Sequence, residues 1–281
     1  MKIKKRWYAA FTLPLMLTFF VVVIIPFVIG IGYSFVEWDG FAKHKATFVG
    51  LKNYMDVFLD QRFINATIRT TIFTMLAVIG INLFGLIFAL IVTTKLKVRN
   101  TARTMLFVPY LIGGLILGYI WKSVFSEFFL SINWGNWLTD EKKALVAMVI
   151  VTTWQLAGYV MIVYITGIMA ISDDVLEAAQ MDGANYWQTL VRVKFPLLMP
   201  SFTICLFLAL SNCFKIYDVN ISLTGAGPNN QSEMFSLNIY NEIFSLSNFG
   251  YGQAKAIVFF LIIATITFIQ VSAMKKKEVA M

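Results

Sequence analysis

Long runs of apolar residues, separated by polar gaps, form the main pattern of this chain. A membrane-spanning helix needs about 20 consecutive, predominantly apolar residues, and six segments reach that length. They cover residues 9–34, 66–93, 104–126, 144–170, 197–222 and 252–274. The pattern therefore predicts an all-α, polytopic membrane protein with six transmembrane helices, which form a single membrane domain over residues 1–281.

The basic residues indicate which ends of the predicted spans face the cytoplasm. If the N-terminus is cytoplasmic, thirteen lysines and arginines lie on the inner side and six lie on the outer side. The inner residues are Lys2, Lys4, Lys5, Arg6, Lys95, Lys97, Arg99, Arg103, Arg192, Lys194, Lys275, Lys276 and Lys277. Because cytoplasmic loops carry an excess of Lys and Arg, we expect both termini to be cytoplasmic. The first apolar run is too long for a signal peptide, so we interpret it as an uncleaved anchor.

Composition favours the same class. The chain is 59% hydrophobic and 14% charged, with a mean hydropathy of +0.74, whereas soluble proteins have roughly 45–50% apolar and about 25% charged residues. The net charge of +8 follows mainly from the inner ends of the spans, so no nucleic-acid partner is expected. Because the chain has a single histidine, His44, we expect no metal site. Cys205 and Cys213 are about 12 Å apart by helical rise, which is too far for a disulfide.

One gap on the predicted inner side, residues 171–196, carries a compact set of helix signals. Ser172 or Asp173 can cap a helix N-terminus, and the acidic residues that follow suit its positive end. Gly183 can end that helix in a left-handed conformation. Taken alone, the pattern is equally consistent with a capped surface loop and with a surface that a partner protein binds.

The same loop resembles the signature of permease subunits of bacterial ABC importers. That signature reads Glu-Ala-Ala, three residues, Gly, nine residues, then an aliphatic residue, any residue, a hydrophobic residue and Pro. It is filled here by Glu177, Ala178, Ala179, Gly183, Val193, Phe195 and Pro196, with Val and Phe in place of the usual Ile and Leu. In that family the loop is a coupling helix that docks in a groove of the cytoplasmic ATPase. The resemblance implies that Glu177, Ala178, Ala179, Asp182 and Gly183 take this role.

Three further motifs narrow the resemblance to carbohydrate-type permeases. They are Gly-Leu-Lys-Asn-Tyr at 50–54, Phe-Lys-Ile-Tyr-Asp at 214–218 with Leu-Thr-Gly-Ala-Gly-Pro at 223–228, and Gly-Tyr-Gly-Gln-Ala at 250–254. Ala226 stands where the family usually has a third glycine. The resemblance covers essentially the whole chain and is nearest to maltose- and glycerol-3-phosphate-type permeases.

The resemblance also implies a set of partners in a bacterial cytoplasmic (inner) membrane. These are a second homologous permease, an ATP-binding cassette ATPase dimer that holds ATP and Mg, an extracellular solute-binding protein and a sugar or oligosaccharide. Alternating access is the mechanism implied, since closing the ATPase dimer would move the coupling loops and open the pathway outward. Which sugar is carried, and whether the second permease is another copy of this chain, stay open at this stage.

Polar and aromatic residues in the fourth and fifth predicted spans are candidates for the substrate pathway. They are Trp154, Gln155, Tyr159, Ser211, Asn212, Lys215 and Asp218. Polar groups inside a membrane are costly and often face a cavity, and a sugar needs amides, hydroxyls and aromatic rings around it. On a continuous helix, residues 211, 215, 218 and 222 would share one stripe. Alternatively, Asn212 and Gln155 bond between helices, and Lys215 pairs with Asp218.

Missing motifs set the remaining expectations. The sequence has no phosphate-binding loop of the form G-x-x-x-x-G-K-[ST] and no catalytic constellation, so we expect no enzymatic activity, catalytic residue or cofactor in this chain. The competing hypothesis is a self-contained, ion-coupled secondary transporter or channel. Buried carboxylates and inverted repeats are typical of such proteins, but only Asp218 lies in a predicted span and no repeat is visible.

Overall fold

The computed structural model describes residues 5–41, 43–94 and 98–276, with side chains from residue 11 onward. Its regular structure is almost entirely helical, which confirms the all-α class. Seven basic residues of the orientation count (Lys2, Lys4, Lys5, Arg6, Lys95, Lys97 and Lys277) lie outside the described residues or side chains.

The helices follow one another with short connections. They are α1 (Lys5–Phe19), α2 (Ile25–Tyr33), α3 (Lys52–Leu59), α4 (Gln61–Val92), α5 (Arg99–Leu111), α6 (Gly114–Ser123), α7 (Phe129–Ser131), α8 (Glu141–Met169), α9 (Asp173–Met181), α10 (Tyr186–Gln188), α11 (Phe195–Leu197), α12 (Met199–Phe214), α13 (Phe235–Tyr240) and α14 (Phe249–Lys275). Wider π-helical turns lie at Phe20–Ile24, Val124–Phe128, Thr189–Lys194, Asn220–Thr224 and Asn241–Ser245, and 3₁₀ turns at Trp137–Thr139 and Pro228–Asn230. A small hairpin pairs β1 (Val36–Glu37) with β2 (Thr47–Phe48), Val36 opposite Phe48.

Within the described residues, four helical segments are long and apolar enough to cross a membrane singly. They are Phe11–Tyr33, Gln61–Val92, Glu141–Met169 and Phe249–Lys275. Two bent pairs would raise the number to six: Arg99–Leu111 with Gly114–Ser131, bent by 95°, and Tyr186–Leu197 with Met199–Phe214, bent by 68°. A multi-pass membrane protein fits these helices, while the count of six, the orientation and the single domain stay predictions.

The third and fifth predicted spans differ from simple helices. Residues 104–126 break where Ile112 and Gly113 take extended conformations, with ψ of 125° and 138°. The helix of the fifth span ends at Phe214, and Lys215 leaves helical geometry with φ −89° and ψ 15°. The prediction of one continuous stripe through residues 211, 215, 218 and 222 is therefore wrong, because a stripe requires unbroken helix.

The described residues form two compact units, residues 1–63 with 239–261, and residues 64–238 with 262–281. In the first unit, two of the carbohydrate-type motifs hold the chain just after α2. Asn53 Nδ2 donates to the carbonyl oxygens of Ser34 and Val36, both at 2.9 Å, and the Tyr54 and Ser34 hydroxyls lie 2.6 Å apart. At Gly250, a Cβ atom would lie 2.0 Å from the Val36 carbonyl oxygen, so this position accepts only glycine.

A buried charge cluster completes the first unit. Lys255 on α14 is fully buried, and its Nζ lies 2.7 Å from both Asp60 Oδ2 and Glu242 Oε2. The ring of Tyr251 lies under the same ammonium group, 4.6 Å from Nζ to the ring centroid. The cluster gives a buried lysine two counter-charges, which a buried charge needs for stability.

In the second unit, α8 is the central helix of the core and packs against α5 and α12. Gly158 makes this packing possible, because a Cβ there would lie 1.9 Å from the Leu106 carbonyl oxygen on α5. Tyr164 on α8 donates to Asn82 Oδ1 on α4 at 2.8 Å, which satisfies a buried amide. The close backbone approach holds α8 firmly against α5.

The segment after α12 is fixed by a buried asparagine. Asn220 Nδ2 donates to the Ser232 carbonyl oxygen at 2.8 Å, and its Oδ1 accepts from the Met234 amide at 2.9 Å. These bonds close the loop that contains Ala226, whose φ is +71°. That value explains why glycine is usual at this position, since a Cβ is unfavourable at positive φ.

Candidate functional site

A cavity of about 260 Å³ lies in the second unit, at the breaks in the third and fifth predicted spans. Its lining comprises Tyr110, Gly114, Thr152, Gln155, Leu156, Asn212 and residues 215–219. The chain folds this way locally because α12 ends at Phe214 and α5 ends at Leu111, so that two irregular segments meet beside α8. Amide, hydroxyl, ammonium, carboxylate and aromatic groups thus face one space.

Four of the predicted pathway residues line this cavity: Gln155, Asn212, Lys215 and Asp218. Gln155 Nε2 also donates to the Ile112 carbonyl oxygen at 3.0 Å, so the alternative of an interhelical hydrogen bond holds for this residue as well. Asn212 Nδ2 donates to the Leu208 carbonyl oxygen of its own helix at 2.8 Å. Within the described part of the chain, Lys215 and Asp218 form no ion pair, because the helical spacing that would join them is lost at residue 215.

Three predicted residues do not line the cavity. Trp154 packs edge-on against Trp121, with ring centroids 5.6 Å apart, and Ser211 lies next to Asn212 on α12 without reaching the space. Tyr159 stacks on Tyr110, with centroids 4.5 Å apart and planes 10° from parallel. Since Tyr110 lines the cavity, Tyr159 supports a lining ring rather than facing the space itself.

Sequence reasoning missed Tyr110, Gly114 and Thr152. Thr152 is the most informative of them, because its buried Oγ1 has no hydrogen-bond partner among the described residues although it belongs to the lining. Gly114 brings α6 close to the cavity, since a Cβ there would lie 2.8 Å from Asp218 Cβ. The Gly113-Gly114 pair was a sequence signal for the break between α5 and α6. Nothing in the sequence around Thr152 indicated that it lines a cavity.

The predicted coupling loop contains the short helix α9 and ends it as expected. Gly183 has φ +78°, its amide donates to the Gln180 carbonyl oxygen, and the Ala184 amide donates to the Ala179 carbonyl oxygen, both at 3.0 Å. These two bonds form a Schellman motif, the common C-terminal cap of a helix. The left-handed glycine predicted from the sequence is therefore confirmed.

A second helix follows at once and has its own cap. The Asn185 side chain accepts from the Gln188 amide at 2.9 Å, and the Gln188 side chain accepts from the Asn185 amide at 2.8 Å. This reciprocal pair is a capping box. The helix continues through residues 189–197.

Five predicted coupling residues lie together on α9 and its C-terminal turn. Glu177, Ala178, Asp182 and Gly183 are exposed, and Ala179 is half-buried. Two large apolar side chains of the same loop, which the sequence interpretation did not single out, are also exposed: Met181 by 89% and Trp187 by 70%. Large apolar residues within a polar gap were the sequence signal that could have identified them.

The predicted coupling loop connects the two helices that carry the cavity amides. It joins the C-terminus of α8, which carries Gln155, to α12, which carries Asn212. At that junction the helices touch closely, because a Cβ at Gly167 would lie 2.1 Å from Ser201 Oγ. Each amide is about 17 Å further along its helix by rise. A displacement of the loop would therefore act on both helices together.

Within residues 5–41, 43–94 and 98–276, no three His, Cys, Asp or Glu side chains are grouped so as to hold a metal ion.

Comparisons with known proteins identify the family. The family model described as "Binding-protein-dependent transport system inner membrane component" matches residues 81–276. The chain is 46% identical to the probable starch degradation products transport system permease protein AmyD of Thermoanaerobacterium thermosulfurigenes, covering 98% of this chain and 96% of that protein. It is 30% identical to the multiple sugar-binding transport system permease protein MsmF of Streptococcus mutans, covering 90% of each.

A solved structure supports the fold. One chain of a bacterial ABC transporter involved in the import of the acidic polysaccharide alginate superposes with a TM-score of 0.82 at 20% identity, covering 98% of this chain and 97% of that one. At this identity the likeness concerns the fold alone. The resemblance noted at the Glu-Ala-Ala loop, the membrane location and the assignment as a transport component rather than an enzyme are confirmed by the family match and the relatives. This chain belongs to the family of binding-protein-dependent transport system inner membrane components.

Proposed function

We propose that this chain is the permease subunit of an ATP-driven importer that takes up a sugar or oligosaccharide delivered by an extracellular solute-binding protein. The observation that carries the proposal is the connection just described, in which one loop joins the two helices whose amides line the cavity. The names of AmyD and MsmF, which refer to starch degradation products and to sugars, support a carbohydrate substrate.

The cavity suits a carbohydrate by its chemistry. Gln155, Asn212 and Thr152 offer amide and hydroxyl groups for the polar edges of a sugar, and Tyr110 offers a ring for an apolar C–H face. Few precisely placed polar groups on a partly apolar wall are typical of small-ligand sites. Lys215 and Asp218, at the break after α12, also line the cavity. The lysine ammonium can donate hydrogen bonds to sugar hydroxyl groups, and the aspartate carboxylate can accept them.

The exposed loop supports the proposal of partner subunits. An ATP-binding cassette ATPase dimer, which would bind ATP and Mg, is proposed to grip α9 through Glu177, Ala178, Ala179, Asp182 and Gly183 on the cytoplasmic side. A second homologous permease, favoured to be a different chain, would complete the pathway. When the ATPase dimer closes, the loop moves α8 and α12, and the cavity opens outward.

The coupling proposal is tested with Glu177→Lys and Gly183→Pro in the purified complex in lipid. We expect solute-dependent transport to be abolished while ATP hydrolysis becomes independent of the solute-binding protein, because the loop no longer fits its groove. Glu127→Lys is the matched control, since it reverses another exposed acidic side chain in a predicted outer segment. Normal transport by the two loop variants would refute the coupling role.

The cavity proposal is tested with Gln155→Ala and Asn212→Ala. We expect the sugar concentration for half-maximal transport to rise, with basal ATP hydrolysis unchanged, because the lost amides contact substrate rather than the ATPase. Ser211→Ala is the control, since Ser211 neighbours Asn212 but does not line the cavity. Unchanged transport kinetics in both alanine variants would reject this site, and ATP-independent uptake by the chain alone would favour a secondary transporter instead.

A further inference from the structure

The short helix α3, which follows the first candidate span, has three distinct faces. Asn53 and Val57 on one face are buried, and Asn53 and Tyr54 bond to Ser34 and Val36 as described above. Since α2 ends at Tyr33, these bonds hold α3 at the point where the first candidate span ends.

A second face of α3 is apolar and uncovered by this chain. Leu51, Met55, Phe58 and Leu59 are between 63% and 80% exposed. At 3.6 residues per turn they share an arc about 100° wide. Lys52 and Asp56 occupy the neighbouring arc and are also exposed. Four large apolar side chains on one exposed arc, beside a charged arc, are the pattern of a helix that lies in a membrane surface.

The position of α3 favours lipid as the occupant of the apolar arc. The span to which α3 is attached, Phe11–Tyr33, has none of its most apolar window buried within the chain, so its side chains also require an apolar environment. Because α3 is bonded to Ser34, directly after this span, it lies where the first candidate span ends. The charged arc with Lys52 and Asp56 suits the headgroup side.

We propose that α3 is an interfacial helix whose apolar arc inserts about 5–10 Å into the boundary between headgroups and acyl chains. Its C-terminal neighbour Asp60 accepts from the backbone amides of Arg62 and Phe63, at 2.9 and 3.2 Å, and so caps α4. The same carboxylate bonds to the buried Lys255 of α14. By lying in the interface, α3 sets the depth at which α4 begins and at which the charge cluster is held.

Site-directed spin labelling of the full-length chain in lipid bilayers, with any subunits that copurify, tests this placement. A nitroxide is attached to Phe58→Cys or Leu59→Cys, while the native Cys205 and Cys213 are fully buried and unreactive in the folded protein. Asp56→Cys on the charged arc of the same helix is the matched control. Relaxation of each label is measured with oxygen, which concentrates in lipid, and with a water-soluble nickel chelate.

We expect the labels at 58 and 59 to be reached by oxygen much more than by nickel, and the label at 56 to show the reverse order. Labels at 58 and 59 that nickel reaches as readily as it reaches 56 would overturn the proposal, because the arc would then face water. Protection of 58 and 59 from both reagents would also overturn it, since a protein partner would then cover the arc. The two label positions guard against local misfolding at either one, and neither result bears on the importer assignment.

Discussion

The buried lysine of the first unit supports a quantitative prediction about stability. Replacing Lys255 by Met keeps the approximate length of the side chain and removes its charge. Two carboxylates then stay in the cluster without their cation, Glu242 almost fully buried and Asp60 one-fifth exposed by side chain. Removing one partner of a buried ion pair typically destabilises a protein by about 3–5 kcal/mol.

The hydrogen bonds that remain to the two carboxylates place the expected loss of stability near the lower end of this range. Glu242 keeps a bond from Asn248 Nδ2 at 2.7 Å, and Asp60 keeps the amides at the start of α4 and the Tyr251 hydroxyl at 3.2 Å. We therefore expect a loss of about 3 kcal/mol. With roughly 2–4 °C per kcal/mol for a chain of this size class, the unfolding temperature should fall by roughly 6–12 °C.

The assay is thermal unfolding of the full-length protein in detergent, followed by the soluble monodisperse fraction after heating. Lys122→Met is the matched control, because Lys122 is exposed at the end of α6 and should show almost no change. The triple variant Lys255→Met, Asp60→Asn, Glu242→Gln should recover most of the loss, since it removes the unpaired charges. An unchanged unfolding temperature in Lys255→Met would refute the reasoning. If the triple variant unfolds at the same temperature as Lys255→Met, the loss comes from altered packing and not from the unpaired charges.

Three further predictions concern stability. Ala226→Gly should raise the unfolding temperature through a gain of up to about 1 kcal/mol, because it removes a Cβ at positive φ; a lower temperature would contradict the strain. Tyr164→Phe should cost about 1–3 kcal/mol in thermal unfolding, because it leaves the buried Asn82 Oδ1 without its donor; an unchanged temperature would show that another donor replaces the hydroxyl. Burial raises the pKa of Asp60, but hydrogen bonding and attraction from Lys255 outweigh it and hold this pKa below its ordinary value of 3.8. The stabilisation from this carboxylate is thus complete above 3.8 and is lost as the pH falls through the lowered pKa, so acid should reduce the unfolding temperature more in wild-type protein than in Asp60→Asn.

The apolar pattern predicted the positions of the long helices well, but it did not predict where those helices are interrupted. Each predicted span overlaps a helix or a bent pair of helices, because hydropathy reports the length of an apolar run. Hydropathy does not report the direction of a helix, so neither the bends at residues 112–113 and at Leu198 nor the helix end at Phe214 was foreseen. The wrong stripe on the fifth span has a similar cause, since helical periodicity was extended across the interruption at residues 215–217.

The candidate site was predictable where local chemistry decides conformation. Gly183 was foreseen because a left-handed cap favours glycine, and Gln155 and Asn212 because amides stand out in apolar helices. Thr152 was not, since a threonine in an apolar helix looks like any small core residue until its hydroxyl is seen without a partner. Lys255 was missed for a related reason, because the hydropathy averaged over α14 stays high when one charged residue lies among many apolar ones.

The two caps at residues 179–188 have a consequence for how the transporter is assembled. The Schellman bonds at Gly183 and the capping box at Asn185 satisfy both helix ends from within the loop itself. The loop therefore holds its shape through its own hydrogen bonds, and the proposed docking of an ATPase would require little ordering of the backbone, which would otherwise reduce the affinity. In the proposed complex an ATPase could therefore associate and dissociate without refolding of the loop, so the permease and the ATPase could fold separately and then assemble.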